Sequence, residues 1–162
     1  MNEYIQLKKD NILKIGIKDS NGNETGEHLE FDLEDIDLPL RINQCDIEHR
    51  KNLSWLRSQL LIIDKKQNNK VKKSKNILNS KDMEKIYAIK EFCKRETAAL
   101  ELFIGKDGVK KFLNGRKAYY SMYEDISEML EPIMPLLNKS IDDITDKIKK
   151  KYSLKKEENV LE

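Results

Sequence analysis

Cys45 and His49 stand four residues apart, a spacing that puts two side chains on one helix face where they can share a metal ion, and Cys93 is a third potential ligand. No fourth ligand accompanies them. Both residues fall among apolar positions at helical spacing, so the expected arrangement is a buried cysteine beside a satisfied core histidine, with no metal. The other histidine, His28, lies among acidic residues, and no motif ties a serine or cysteine nucleophile to it. The two cysteines form no CxxC pair, which argues against a zinc ribbon or a disulfide framework. Six glycines in the whole chain are too few for phosphate-binding loops of the usual kind. The expectation is a protein that is not an enzyme, with no catalytic residues and no cofactor.

The elements that carry these residues can be read from periodicity. The chain has 162 residues, about the length of one ordinary domain, with 37% charged and 38% apolar residues. That balance suits a helical, well-solvated protein better than a sandwich or barrel. From Tyr4 to Leu33 apolar residues recur at period two, in Ile5 and Leu7, in Leu13, Ile15 and Ile17, and in Leu29, Phe31 and Leu33. This predicts a small antiparallel β meander over residues 1–36, with Asn21-Gly22 supplying the positive φ angles of its second connection. So small a sheet buries its apolar face only against helices or another subunit.

A helical portion follows over residues 37–152. Asp37 is placed to cap a helix of about 25–30 residues with Pro39 in its first turn. Ile42, His49, Leu56 and Ile63 recur at seven on its seam, flanked by Cys45, Leu53 and Leu60. Residues 68–79 break the pattern and read as a mobile basic loop. Ser80 opens a second long helix with an apolar stripe of Met83, Ile86, Ile89 or Lys90, Cys93, Thr97, Leu100 and Ile104, closed by Gly105. A short helix closed by Gly115 comes next. A third substantial helix is expected from Lys117 toward Pro132, with Pro132 and Pro135 kinking or ending it. Ser140 reads as the cap of a final helix, with Asp142 and Asp143 at its positive end and lysines toward its negative end. Residues 153–162 read as a flexible tail. The fold class is α+β, mostly α: an N-terminal meander, then a bundle of two long and several shorter helices.

Charge is balanced overall at +2, which removes the excess expected of a polyanion-coating protein, but it is unevenly placed. Between Asp19 and Asp37 lie eight acids and no lysine or arginine; Lys65–Lys75 and Lys147–Lys156 each hold six lysines and no acid. Pairing the acidic run, with Glu27, Glu30, Asp32, Glu34 and Asp35, against Lys70, Lys72, Lys73 or Lys149, Lys150, Lys151 of another copy would build a homo-oligomer head to tail. The alternative is that each run is a solvated face or loop, as charge runs usually are. Phosphate contact by the lysines is a rival role as a nucleic-acid-binding or regulatory protein. Five arginines and no aromatic residue between 65 and 75 give it no base-reading or stacking groups, so no specific nucleic-acid partner is expected. The longest apolar run, Leu60–Ile63, falls far short of a membrane span, and no basic segment followed by an apolar stretch opens the chain. The expectation is a soluble, cytoplasmic protein with no membrane partner. Trp55 and the cluster Tyr119, Tyr120, Met122 and Tyr123 are the residue types enriched where proteins meet, with core packing as the plain alternative.

The acidic β-rich start ending in Phe31-Asp32-Leu33-Glu34-Asp35, the long helix, the segment from Leu102-Phe103-Ile104-Gly105 through Phe112-Leu113, and the stretch Tyr123–Pro135 together resemble the tail assembly chaperones of long-tailed bacteriophages and prophage elements. The resemblance covers most of residues 27–152, through helical patterning and one glycine break. It implies a non-catalytic helical protein that binds the tape-measure protein during tail assembly and gives way to the tail-tube protein, in an infected or lysogenic bacterial cytoplasm. A structural tail or connector component of the virion is a further alternative. Grooves between helices carrying Trp55, Leu56, Leu60, Leu100, Phe103, Tyr119, Tyr120, Met122 and Tyr123 would take the client.

Overall fold

A computed structural model describes residues 11–66 and 78–160, with side chains as far as Ser153. Within it, alternation in the N-terminal segment produces two antiparallel strands, β1 (Ile12–Lys18) and β2 (Glu24–Asp32). Ile17, Leu29 and Phe31 are buried, as the period-two pattern requires. The expected first strand with Ile5 and Leu7 lies outside the described residues. Gly22 adopts φ 81°, but Asn21 does not join it in the left-handed region. Asp19 closes the turn instead: its carboxylate accepts the backbone N–H groups of Asn21 and Asn23, each at 2.9 Å. Gly16 pairs with His28 while Lys18 pairs with Glu24, so a bulge sets Ile17 opposite residues 25–27. Gly26, at φ 80°, supplies the backbone freedom there.

Four helices follow. α1 spans Leu38–Lys65, with Asp37 at its N-cap position and Pro39 in its first turn, as the sequence indicates. Asp37 makes no side-chain cap bond; Arg41 N–H donates to its backbone carbonyl at 2.9 Å. α2 spans Ser80–Leu113 and is capped by Asn79, whose side chain accepts from Asp82 N–H. Asn79 therefore belongs to the helix start, and the rest of the expected basic loop, up to residue 77, lies outside the described residues. At Gly105, φ 76° and ψ 166° interrupt the helix where the sequence places its end. The chain then resumes a helical course to a left-handed cap at Asn114, one residue before the expected Gly115.

The third helix is shorter than its pattern suggests. Residues 116–119 are irregular, and α3 runs only Met122–Leu130. One 3-10 turn (Glu131–Ile133) leads directly into α4 (Met134–Val160). The two prolines account for this: each occupies the first turn of its element, where a missing N–H breaks no bond. Pro135 thus starts α4 rather than ending α3. Ser140 is consequently interior to α4, and its hydroxyl donates to the Leu33 carbonyl instead of capping. Asp142 and Asp143 stand two turns into the helix, not at its positive end. The α4 backbone is helical through Val160, and so runs into the 153–162 segment expected to be a flexible tail.

The core lies at one end of the α1–α2 hairpin. Leu100, Val109, Met122, Ile126, Leu130, Ile133 and Leu137 meet Cys45, Leu38 and the apolar face of the sheet. Gly108 permits the close approach of α2 to β2: a Cβ there would stand 3.0 Å from Ile104 Cβ and 3.2 Å from Leu29 Cδ2. Lys111 fastens the same contact by donating to the His28 carbonyl at 3.2 Å. The class is α+β, mostly α.

Candidate functional site

The residues with chemistry in their side chains meet inside the hairpin. Cys45 and His49 are buried on α1, one turn apart. Facing them from α2 is Glu96, wholly inaccessible to solvent. His49 Nδ1–H donates to Glu96 Oε2 at 2.5 Å, and Asn52 Nδ2–H donates to Oε1 at 2.8 Å, so both carboxylate oxygens are satisfied. Tyr123 lies flat on the imidazole, with ring centroids 3.5 Å apart and planes 4° from parallel, and its hydroxyl donates to Asp46 at 3.3 Å. Burial, with the Glu96 and Asp46 charges adding to it, pushes the Cys45 thiol up to about 12. The neutral-pH species is therefore the thiol, a poor nucleophile and a poor metal ligand. Burial likewise raises Tyr123 to about 12, helped by Cys45 and Asp46. This arrangement is a polar clamp holding α1, α2 and α3 in register, with His49 Nδ1 taken up by Glu96.

Glu96 and Asn52 were not among the residues singled out from sequence. The available signal was positional, because Glu96 lies three residues after Cys93 and four before Leu100, on the face that α1 covers. A carboxylate there requires partners, and His49 with Asn52 three residues on provides them.

The residues expected to form client grooves separate into three groups. Leu100 and Met122 are 1% and 0% exposed and fill the core, so they are withdrawn from any binding surface. Phe103 is half-buried and packs its ring on Phe31, with centroids 5.4 Å apart. Trp55, Leu56 and Leu60 lie half-buried along α1, and the Arg95 guanidinium sits 4.0 Å above the Trp55 ring. At the start of α3, Tyr119 donates its hydroxyl to Asp125 at 2.7 Å, and burial followed by that carboxylate raises its pKa to about 12. Tyr123 is committed to His49. Tyr120 alone of this cluster stands in solvent. No single groove unites the set.

Instead, apolar surface is left open where the stripe of α2 fails to find cover. Ala88, Phe92, Cys93, Glu96, Ala99, Leu100, Gly108 and Val109 are the buried positions of α2, so the expected stripe is buried at Cys93 and Leu100 but exposed at Met83, Ile86 and Ile89. α1 packs on one flank of α2, and only from Leu100 onward do the sheet and α3 add a further layer. Elsewhere on the two helices, Leu61 and Tyr87 are 59% and 61% exposed. The end of the hairpin where α1 finishes and α2 begins is held by ion pairs, Lys66 to Glu84 at 2.7 Å and Lys85 to Asp64 at 2.8 Å. A second apolar feature is a groove of about 360 Å³ between the β2–α1 junction and α4, with walls that include Leu33, Ile36, Leu40, Ile141, Ile144 and Ile148.

The acidic run carries counter-ions of its own. Glu30 contacts His28 at 2.9 Å and Lys14 at 3.5 Å, Asp35 contacts Arg41 at 2.7 Å, and Glu27 lies 3.9 Å from Lys111. His28 chiefly, and Lys14, hold Glu30 below its ordinary value; Arg41 and the Asp37 N–H do the same for Asp35. Asp32 and Glu34 are exposed, as are Lys149, Lys150 and Lys151 on α4, while Lys70, Lys72 and Lys73 lie outside the described residues. No described helix is long and apolar enough to cross a membrane. Comparison of the chain with protein-family models, with curated proteins and with solved structures finds no match.

Proposed function

We propose that the protein is a non-catalytic tail assembly chaperone of the long-tailed phage type, which holds segments of a tape-measure protein until tail-tube subunits replace it. The observation that carries this reading is the uncovered face at the end of the α1–α2 hairpin where α1 finishes and α2 begins. Met83, Ile86 and Ile89 recur at helical spacing, and Leu60 and Leu61 lie on the neighbouring helix. An amphipathic client helix laid beside such a pair completes a three-helix packing unit, with anchors at i, i+3 and i+6. The clamp at Glu96 supports the same role, because it fixes the two helices in one register and presents their outer faces rigidly. Tape-measure proteins are long helical clients, and a short two-helix platform fits successive segments of one.

Pull-down of immobilised tape-measure fragments tests the reading. The wild-type chain is expected to bind, and Ile86→Glu with Ile89→Glu to lose binding while its circular dichroism stays helical. Equal binding by both proteins would overturn the assignment of the face.

A further inference from the structure

The groove between the β2–α1 junction and α4 has a composition that points to an occupant. On α4, Leu137, Ile141, Ile144, Ile148 and Tyr152 recur at spacings of 4, 3, 4 and 4, which forms one apolar stripe along the helix. Only its first residue is buried against the core; Ile148 and Tyr152 are mostly exposed. The opposite wall offers Ile36 and Leu40, 72% and 65% exposed and the most exposed aliphatic side chains among the described residues. An apolar stripe of five positions facing two such residues is more than scattered surface hydrophobics explain.

Charge then selects the partner and its direction. Residues 142–146 of α4 carry Asp142, Asp143 and Asp146 and no base, whereas 147–151 carry Lys147, Lys149, Lys150 and Lys151 and no acid. The rim of the groove beside the first half of α4 carries Glu34, Asp35 and Asp37, and Ser140 is bonded to the Leu33 carbonyl there. A second α4 running antiparallel brings its lysine half over this acidic rim and over Asp142, with Lys139, and Arg41 already paired to Asp35, as the like charges nearby. A parallel α4 stacks lysine upon lysine. The stripe has matching symmetry, since an axis through the Ile144–Thr145 step sets Ile141 against Ile148 and Leu137 against Tyr152 of the other copy.

We propose that α4 is a self-pairing arm: two copies of the chain associate about a two-fold axis near Ile144, each α4 lying antiparallel in the other's groove. The contact is isologous and closes at two copies, unlike a head-to-tail chain of copies. It uses a surface separate from the client face of the hairpin and is measured on the isolated chain, so its failure leaves the client reading standing.

Sedimentation equilibrium of the full chain, with mild oxidation of variants carrying one added cysteine, tests it. The wild type is expected to be a dimer, and Ile141→Glu with Ile148→Glu to raise the dimer dissociation constant by about a hundredfold, the effect of desolvating unpaired carboxylates in an apolar contact. Lys149→Glu, Lys150→Glu and Lys151→Glu together should weaken the dimer, and added salt should weaken the wild type in the same sense. Ile144→Cys should link covalently to itself, whereas Tyr152→Cys should not, with wild type reporting the background from Cys45 and Cys93. A monomeric wild type would overturn the proposal and leave the groove to a client helix. Self-linking by Tyr152→Cys in preference to Ile144→Cys would overturn the antiparallel arrangement.

Discussion

Glu96 is the side chain whose surroundings leave least room for substitution. Its two oxygens take His49 Nδ1–H and Asn52 Nδ2–H in a site closed to water, so each donor holds a charge that nothing else can solvate. His49→Ala should lower stability by about 3–5 kcal/mol, read as a fall in the urea midpoint, because the carboxylate loses a partner while staying buried. Replacing both residues, His49→Leu with Glu96→Leu, should cost less than the two single changes added together, since similar volume is restored without a buried charge. An unchanged midpoint for His49→Ala would refute the clamp. Alkaline pH probes the same cluster. Folding raises the Cys45 thiol from 9.0 to about 12 and the Tyr123 phenol from 10.0 to about 12, which favours their neutral forms. Their contribution is fully present below the unfolded values and is lost as pH climbs from about 9 toward 12. The urea midpoint should therefore decline across that window, and Tyr123→Phe should flatten the upper part of the decline. A midpoint that stays level there would contradict the burial of these groups.

At the scale of elements, the break at Gly105 governs how the sheet joins the helices. Its φ of 76° with ψ of 166° belongs to a region of backbone space open essentially to glycine, and no neighbouring atom crowds the position. Gly105→Ala should cost about 1–3 kcal/mol from backbone strain alone. Thermal unfolding checks this, and a Gly105→Ala protein as stable as the wild type would show that the helix tolerates straightening. Such local features were legible in the sequence. Asp37-Leu38-Pro39 marked the start of α1, Gly105 the break, and period two the strands that carry Ile17, Leu29 and Phe31. Where neighbours in space decide, the sequence was ambiguous. Met83, Ile86 and Ile89 belong to a stripe whose far end is core, yet only the tertiary arrangement determines which turns receive a covering layer. Pro132 and Pro135 fit a helix end as well as a helix start, and the start prevails because Leu130, Ile133 and Leu137 all bury on one side of a continuous path.

At the scale of the whole molecule, the two proposals use separate surfaces, the client proposal the hairpin end where α1 finishes and α2 begins and the self-pairing proposal the apolar stripe of α4. The acidic run takes a smaller part than its count suggests, because Lys14, Arg41 and Lys111 pair with Glu30, Asp35 and Glu27 within the chain. Which exposed apolar residues bind anything is not legible from period alone: of the residues expected in client grooves, Trp55, Leu60 and Tyr120 are accessible or half-accessible, while Leu100 and Met122, equivalent to them in sequence, lie in the core. Helical period alone cannot rank turns by depth. The central claim is client binding by the hairpin face, and co-expression with the tape-measure protein of the same genome, followed by size-exclusion chromatography, measures it most directly. The account predicts that the wild-type chain keeps the tape-measure protein in solution and co-elutes with it, and that Met83→Glu, Ile86→Glu and Ile89→Glu combined abolish co-elution without loss of helical content. A tape-measure protein that precipitates regardless of the wild-type chain, or that co-elutes equally with the triple variant, would contradict it.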